Sequence, residues 1–174
     1  MIRDATESDV PAILAIYNDV LATSTAIFSE LPATLDDRLQ WFRARRDVGY
    51  PVLVATDGSG VLGFASFGDF RSWPGYRHTI EHSVHVRADA RGRGVGTELV
   101  RVLLERAAAL GKHVMVAGVD ADNVGSIRMH ERLGFQRAGT LRHVGCKFGR
   151  WLDLAFLERR LDDRLAPPPG LAGP

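Results

Sequence analysis

The chain has 174 residues, 45% of them hydrophobic, enough for one domain with a substantial core and too few for two. Its 22 Lys and Arg nearly balance 21 Asp and Glu, so no molecule-wide field gathers nucleic acid or an anionic membrane, and any anion site must be local. The single cysteine, Cys146, excludes an intramolecular disulfide and fits a reducing compartment; with no long apolar run and no apolar signal core in MIRDATESD, the expected location is cytoplasmic.

In chain order, MIRDA reads as a short strand. Thr6 or Ser8 then caps a helix in which Val10, Ile13, Leu14, Tyr17 and Leu21 recur at helical spacing. Pro11 falls in its early turns, where a missing N–H does least harm. Thr34 and Asp37 form a cap-like pair ahead of a second helix carrying Leu35, Leu39 and Phe42 on one stripe. PVLVAT, the turn residues 57–60 and VLGFASF predict a hairpin, and IEHSVHV a third strand. A helix from Thr97 to about Leu110 stops at Gly111, HVMVAGV is a strand, and a helix over 123–133 stops at Gly134. FQRAGTLRHV and WLDLAFLE close the set as strands. This order predicts an α/β (α+β) mixed sheet in a single domain over residues 1–161. The Pro- and Gly-rich tail 162–174 buries little and is expected to be disordered.

The densest chemical signal is Arg91-Gly92-Arg93-Gly94-Val95-Gly96, between a strand and an amphipathic helix. Glycines there let main-chain N–H groups and the positive helix end converge on phosphate oxygens. A dinucleotide fingerprint begun at Gly92 and Gly94 needs glycine where the chain has Thr97, and a nucleoside-triphosphate loop needs Gly-Lys-Ser/Thr where it has Thr97-Glu98-Leu99. What remains is R-x-x-G-x-G, a cradle for a phosphate-bearing cofactor. In the preceding strand, alternation puts Glu81, Ser83 and His85 on one face and Ile80, His82, Val84 and Val86 on the other. A carboxylate on a central strand is costly unless it is hydrogen-bonded or functional, so Glu81 is a candidate general base or one half of an ion pair with Arg77 or Arg87.

R-x-x-G-x-G resembles the pyrophosphate signature of the GNAT acetyltransferase superfamily, and the element order matches the GNAT acyl-CoA N-acyltransferase fold over almost the whole chain. AIYNDVL with Ala26-Ile27-Phe28, GYPVLVA, ASFGDFRSWPGYRHTIEHSVHV, SIRMHERLGF and VGCKFGRWLDL are similar to one branch, the phosphinothricin and methionine sulfoximine acetyltransferases. The resemblance implies acetyl-CoA as co-substrate, no metal, a small amino-acid acceptor, direct attack in a ternary complex and a homodimer, with no nucleic acid or membrane as partner. It places the general base at Glu81. It puts the pyrophosphate on residues Arg91, Gly92, Arg93, Gly94, Val95, Gly96 and Thr97, and the pantetheine arm along Val84, His85 and Val86 as an added strand. One N–H of that stretch would hold the thioester oxygen. Asn123 is either a CoA contact or a helix cap, and the two roles are compatible.

Where this superfamily often has a tyrosine that protonates the leaving thiolate, the chain has His130, which either donates that proton or only hydrogen-bonds CoA. Arg71, Ser72 and Trp73, with Glu81, His82 and Ser83, fall at substrate-contacting positions of the resembling enzymes. Arg71 offers a planar fork for a carboxylate, and Trp73 and Phe28 could wall the side-chain pocket. His82 and His85 read H-x-x-H, but strand alternation sends them to opposite faces, unlike a metal pair. Cys146 carries no nucleophile signature. Two alternatives stay open: an N-terminal acetyltransferase of peptides or proteins, which needs an open groove, and a CoA-binding sensor without catalysis.

Overall fold

The structure, a computed structural model, describes residues 1–168. Strands β1 (Ile2–Asp4), β2 (Val52–Asp57), β3 (Gly60–Asp69), β4 (Thr79–Val86), β5 (Val114–Asp120), β6 (Gln136–Lys147) and β7 (Arg150–Arg160) form one sheet in the order β1-β2-β3-β4-β5-β7-β6. The helices are α1 (Val10–Thr23), α2 (Leu35–Asp47), α3 (Val95–Ala109) and α4 (Val124–Arg132). Every strand pair is antiparallel except β4 with β5. The α/β mixed sheet expected from the element order is therefore present.

Strand alternation divides the core into two layers. Leu53, Ala65, Phe67 and Ile80 pack with Leu99 and Leu103 of α3 and Ile127 of α4 on one face. Val52, Val54 and Phe64 pack with Val10 and Ile13 of α1 and Phe42 of α2 on the other. Local capping sets the helix starts: Thr34 and Asp37 bond reciprocally at the head of α2. Helix α3 begins at Val95, two residues before the expected Thr97, because Gly94 takes a left-handed cap at φ +82°. Phe148 and Gly149, both at positive φ, make the two-residue turn between β6 and β7. Such a turn matches the twist of the strands it joins, and it lets both run longer than the sequence pattern suggested. In the tail, Asp162 pairs with His113 at 2.8 Å and Arg164 donates to the Gly111 carbonyl at 3.0 Å, while positions 169–174 of the expected disordered stretch lie outside the described residues.

Two features position the site. β4 and β5 pair only from Thr79↔Val114 to Glu81↔Val116. Beyond that point β4 continues beside β3 and β5 beside β7. The second feature is Lys147, 2% exposed, whose ammonium donates to the carbonyls of Leu21, Ser24 and Ile27 at 2.5, 2.7 and 2.8 Å. It ties the end of β6 to the loop that follows α1. Replacing Lys147 with Met would leave three carbonyls, one buried and two half-buried, without their donor. We expect a loss of about 3 kcal/mol or more of stability, read as a lower denaturant midpoint with an unchanged slope.

Candidate active site

Past Glu81 and Val116 the main chain of 82–86 has no strand on its β5 side, and the space so opened is hollow. A cavity of about 450 Å³ is lined by Tyr17, Arg38, Trp41, Arg45, Glu81, Ser83 and His85 on the α1–α2 face, and by Gly118, Asp120, Asn123 and His130 around its far side. A second, of about 660 Å³, runs over Val84, Val86, Arg91, Gly92, Gly94, Gly96, Thr97, Met129 and Arg132. Val84, His85, Asn123 and Ser126 line both, so the glycine turn and Glu81 face two compartments of one cleft.

Glu81 stands on the α1–α2 face between two glycines. On one side Gly68 is its register partner across β3–β4, and the Arg45 guanidinium fills the place of the missing side chain: a Cβ on Gly68 would come within 2.6 Å of Arg45 Cζ. On the other side a Cβ on Gly118 would meet Glu81 Oε1 at 2.8 Å. The carboxylate therefore occupies space that only glycine leaves. Burial raises the Glu81 carboxyl above its ordinary value, and the charge of Arg71 pulls it back down. Neither Arg77 nor Arg87 pairs with it; Arg87 is held by Asp89 at 2.6 Å, and Arg77 donates to the Pro74 carbonyl.

His82 points to the opposite face and meets His130, Nε2 to Nε2 at 3.1 Å. His130 Nδ1 lies 2.8 Å from the Ser126 carbonyl, an acceptor, so the proton of the neutral ring is assigned to Nδ1. His130 Nε2 is then an acceptor and His82 Nε2 its donor. Burial lowers His130 and, with the neighbouring His130 and His85, holds His82 down to about 3. A neutral His130 whose one N–H is spent on Ser126 has no proton facing the cleft. Of the two roles left open for His130, proton donor to the thiolate or hydrogen-bond partner of CoA, this tautomer does not supply the first, and its Nε2 meets the His82 ring. His85 lies on the other face, as alternation requires, with its ring against Phe64 and Tyr17. Among the described residues no cluster of three or more His, Cys, Asp or Glu is placed to hold a metal ion.

At the glycine turn, Gly92 and Gly94 sit at φ +72° and +82°, angles that side chains disfavour. Among the described residues the amides of 92–97 make no main-chain hydrogen bonds, so they form a row of free donors at the head of α3. Arg91 turns back, Nε donating to the Val86 carbonyl at 3.2 Å with its fork 3.7 Å from Asp19; it braces the turn. Arg93 is exposed and lies outside the cavity walls. Asn123 caps α4, its side chain accepting from Ser126 N at 3.1 Å.

The acceptor side differs more from expectation. Arg71, Ser72 and Trp73 lie in the exposed connection after β3, with Trp73 74% exposed, and Phe28 packs against Gly145 of β6. None of these four lines the 450 Å³ cavity. Its aromatic wall is Tyr17, Trp41 and Phe64, with the Arg38 guanidinium 3.8 Å from the Tyr17 ring centre and 5.0 Å from that of Trp41. Sequence reading placed Tyr17 on the core stripe of α1 and passed over Arg38, Trp41, Arg45, Gly68 and Gly118. Gly68 and Gly118, each interrupting an apolar strand, were the available signal for a close approach.

Comparison with known proteins accords with this geometry. The profile of the Acetyltransferase (GNAT) family matches residues 13–135. The L-methionine sulfoximine/L-methionine sulfone acetyltransferase of Pseudomonas paraeruginosa is 53% identical over 168 residues, 96% of this chain and 98% of that protein. A Salmonella typhimurium structure with its cofactor acetyl-CoA superposes with a TM-score of 0.94 at 46% identity, covering 97% of each chain. A phosphinothricin acetyltransferase of the GNAT superfamily from Sinorhizobium meliloti, in complex with acetyl-CoA, gives 0.94 at 35% identity over 99% of this chain and 94% of that one.

Two substitutions test the two compartments separately. Gly118→Ala displaces the Glu81 carboxylate and is expected to lower turnover roughly 10- to 100-fold with the KM for acetyl-CoA unchanged. Gly94→Val strains the turn and is expected to raise that KM about tenfold, leaving the acceptor KM alone, since the strain of a β-branched residue at positive φ is about 1–2 kcal/mol. Steady-state kinetics with each substrate varied in turn reads both.

Proposed function

This chain belongs to the GNAT acetyltransferase family, and from that premise we propose that it transfers acetyl from acetyl-CoA to the amino group of a small amino acid or analogue, of the kind typified by methionine sulfoximine, methionine sulfone and phosphinothricin. The relatives named for those acceptors supply the substrate class. The observation carrying the reading is Glu81, a half-buried carboxylate with room made for it by Gly118, in the wall of the acceptor cavity, which shares Val84, His85, Asn123 and Ser126 with the phosphate-side cavity.

Acetyl-CoA supplies an acyl group activated as a thioester. Free amines are largely protonated near neutral pH, and Glu81 takes the proton, directly or through a water, that the ammonium must lose before its nitrogen can attack. The nitrogen bonds to the acetyl carbon, the carbon–sulfur bond breaks, and the electron pair leaves on sulfur. A thiolate is a tolerable leaving group at this pH, so no histidine donor is required. The free amides of 92–97 suit the pyrophosphate, each charge-assisted bond contributing roughly 1.5–3 kcal/mol. The open edge of Val84, His85 and Val86 suits the amide-bearing pantetheine arm. Asn123 and His130 flank that arm in this reading. Ser83 faces the acceptor, and His82 borders it from the other side of β4.

A homodimer is the proposed assembly. Leu141, Val144, Phe148 and Trp151 leave an exposed apolar surface on the β6–β7 hairpin, a feature that protein interfaces cover. Cys146, free and exposed, suits a reducing cytoplasm. The limited volume of the acceptor cavity, about 450 Å³, favours a small acceptor over a peptide. Retention of Glu81 favours an enzyme over a sensor.

Thiol release on mixing acetyl-CoA with amino acids, the sulfoximine, the sulfone, phosphinothricin and short peptides tests the reading; release only with peptides, or with nothing, overturns it. Glu81→Gln is expected to lower turnover about 100-fold or more with acetyl-CoA affinity retained, and wild-type turnover in that variant removes the assigned base. Because the active form is the carboxylate, kcat/KM should fall as pH drops through a value above the ordinary 4.5, and Glu81→Gln should erase that limb.

A further inference from the structure

Resting on the reading of Glu81 as general base proposed above, we infer that Lys112, in the loop between α3 and β5, is a positioning residue for the transfer: it clasps the connection from β3 to β4 that carries Arg71. That connection, residues 70–78, leaves the sheet at Asp69 and returns to it at Thr79. Residues 71–77 are all exposed, and their hydrogen bonds are mostly local. Arg71 donates to the Phe70 carbonyl at 2.9 Å, the Tyr76 amide to the Trp73 carbonyl at 2.9 Å, and the Arg77 amide and side chain to the Pro74 carbonyl at 3.2 Å. Among the described residues, 71–77 receive one hydrogen bond from outside the connection. Its donor is Lys112 Nζ, 2.8 Å from the Arg77 carbonyl.

The same ammonium reaches the other end of the connection. Lys112 Nζ donates to the Tyr50 hydroxyl at 2.8 Å, and that hydroxyl donates to Asp69. Burial and the bond to Asp69 push Tyr50 up to about 12, so it stays a hydroxyl, accepting from Lys112 while it donates to Asp69. Lys112 and Tyr50 therefore close the base of the connection from both ends. Arg71 stands two residues past Asp69, its guanidinium 4.2 Å from the Phe70 ring centre. From there its charge pulls the Glu81 carboxyl down, against the burial that raises it. The titratable groups of the cavity wall itself are otherwise engaged. Burial keeps His82 and His85 of β4 and His130 of α4 neutral. Arg38 of α2 stacks on Tyr17 of α1, Arg45 of α2 has the charge of Asp69 beside it, and Asp120 of β5 accepts from Thr25 and from the Asp122 amide. Arg71 is left as the charge that acts on Glu81. An exposed charge is screened as it moves away, so that action depends on where the connection is held.

The experiment records kcat/KM for methionine sulfone against pH in the wild type, Lys112→Met, Lys112→Arg, Arg71→Ala and the Lys112→Met, Arg71→Ala double variant, with denaturant midpoints measured beside it. The limb of interest is the acidic one that Glu81→Gln erases. Arg71 favours the carboxylate, which is the active form, so losing its pull raises the pH at which Glu81 takes up its proton. Lys112→Met should therefore move the limb to higher pH. Below the limb, kcat/KM normalised to each variant's plateau should fall roughly 2- to 5-fold, with the acetyl-CoA KM unchanged. Lys112→Arg, which can donate to both oxygens, should restore the limb. Arg71→Ala should shift it in the same direction, and adding Lys112→Met should shift it no further. Should Lys112→Met fold poorly, Tyr50→Phe cuts the link to Asp69 and should move the limb the same way. An unmoved limb in Lys112→Met and Tyr50→Phe, whatever the midpoints do, or an undiminished shift in the Arg71→Ala background, would overturn this inference alone. Absence of transfer from acetyl-CoA to any amino acid, or a limb that survives Glu81→Gln, would overturn the proposed function instead.

Discussion

Parting β4 from β5 after Glu81↔Val116 leaves one edge of β4 without a strand, and buried peptide groups need partners. A sheet can tolerate such a gap only if something else fills it, and an extended, amide-bearing ligand is chemically matched to the task. The rest of the site is arranged around that opening. The glycine turn lies beyond its mouth, α4 begins at its rim with Asn123, and Glu81 sits where the two strands diverge. Closing the gap by continued β4–β5 pairing would abolish both compartments while leaving the two core layers intact.

Charge is admitted to this opening by subtraction. Gly68 and Gly118 remove two side chains from the face that bears Glu81, and into the spaces go the Arg45 guanidinium and the Glu81 carboxylate. Neither group is consumed by an internal ion pair, and both are half-buried. Polar groups kept in that state are costly to fold around and are characteristic of places where a ligand completes the set. The histidine pair on the opposite face contrasts with this. His82 and His130 bond to one another through their Nε2 atoms, stay neutral and pack against Phe135, a polar part of the core in which His82 Nδ1 alone has no partner.

Much of the framework was legible from pattern alone, because strand and helix periodicities are local. The capping pair Thr34–Asp37, the hairpin around 57–60 and the alternation that separates Glu81 from His82 all appear where spacing put them. Resemblance of short strings led to the family and to Glu81. It did not point to Arg38, Trp41 and Arg45, which line the cavity from a helix whose motifs signalled only packing, while Arg71 lies outside the cavity wall and still acts on Glu81 through its charge.

The sequence by itself determined the alternation of elements, the glycine turn at the head of α3, the face on which Glu81 projects and the family to which the chain belongs, since each of these is written in spacings of a few residues. Tertiary structure alone decided which cations share a cavity with Glu81, which proton the His130 ring carries, and that Lys147 fastens a loop more than a hundred positions away. Those depend on distances between segments remote in the chain, and such distances are set by how the two core layers pack against the twisted sheet.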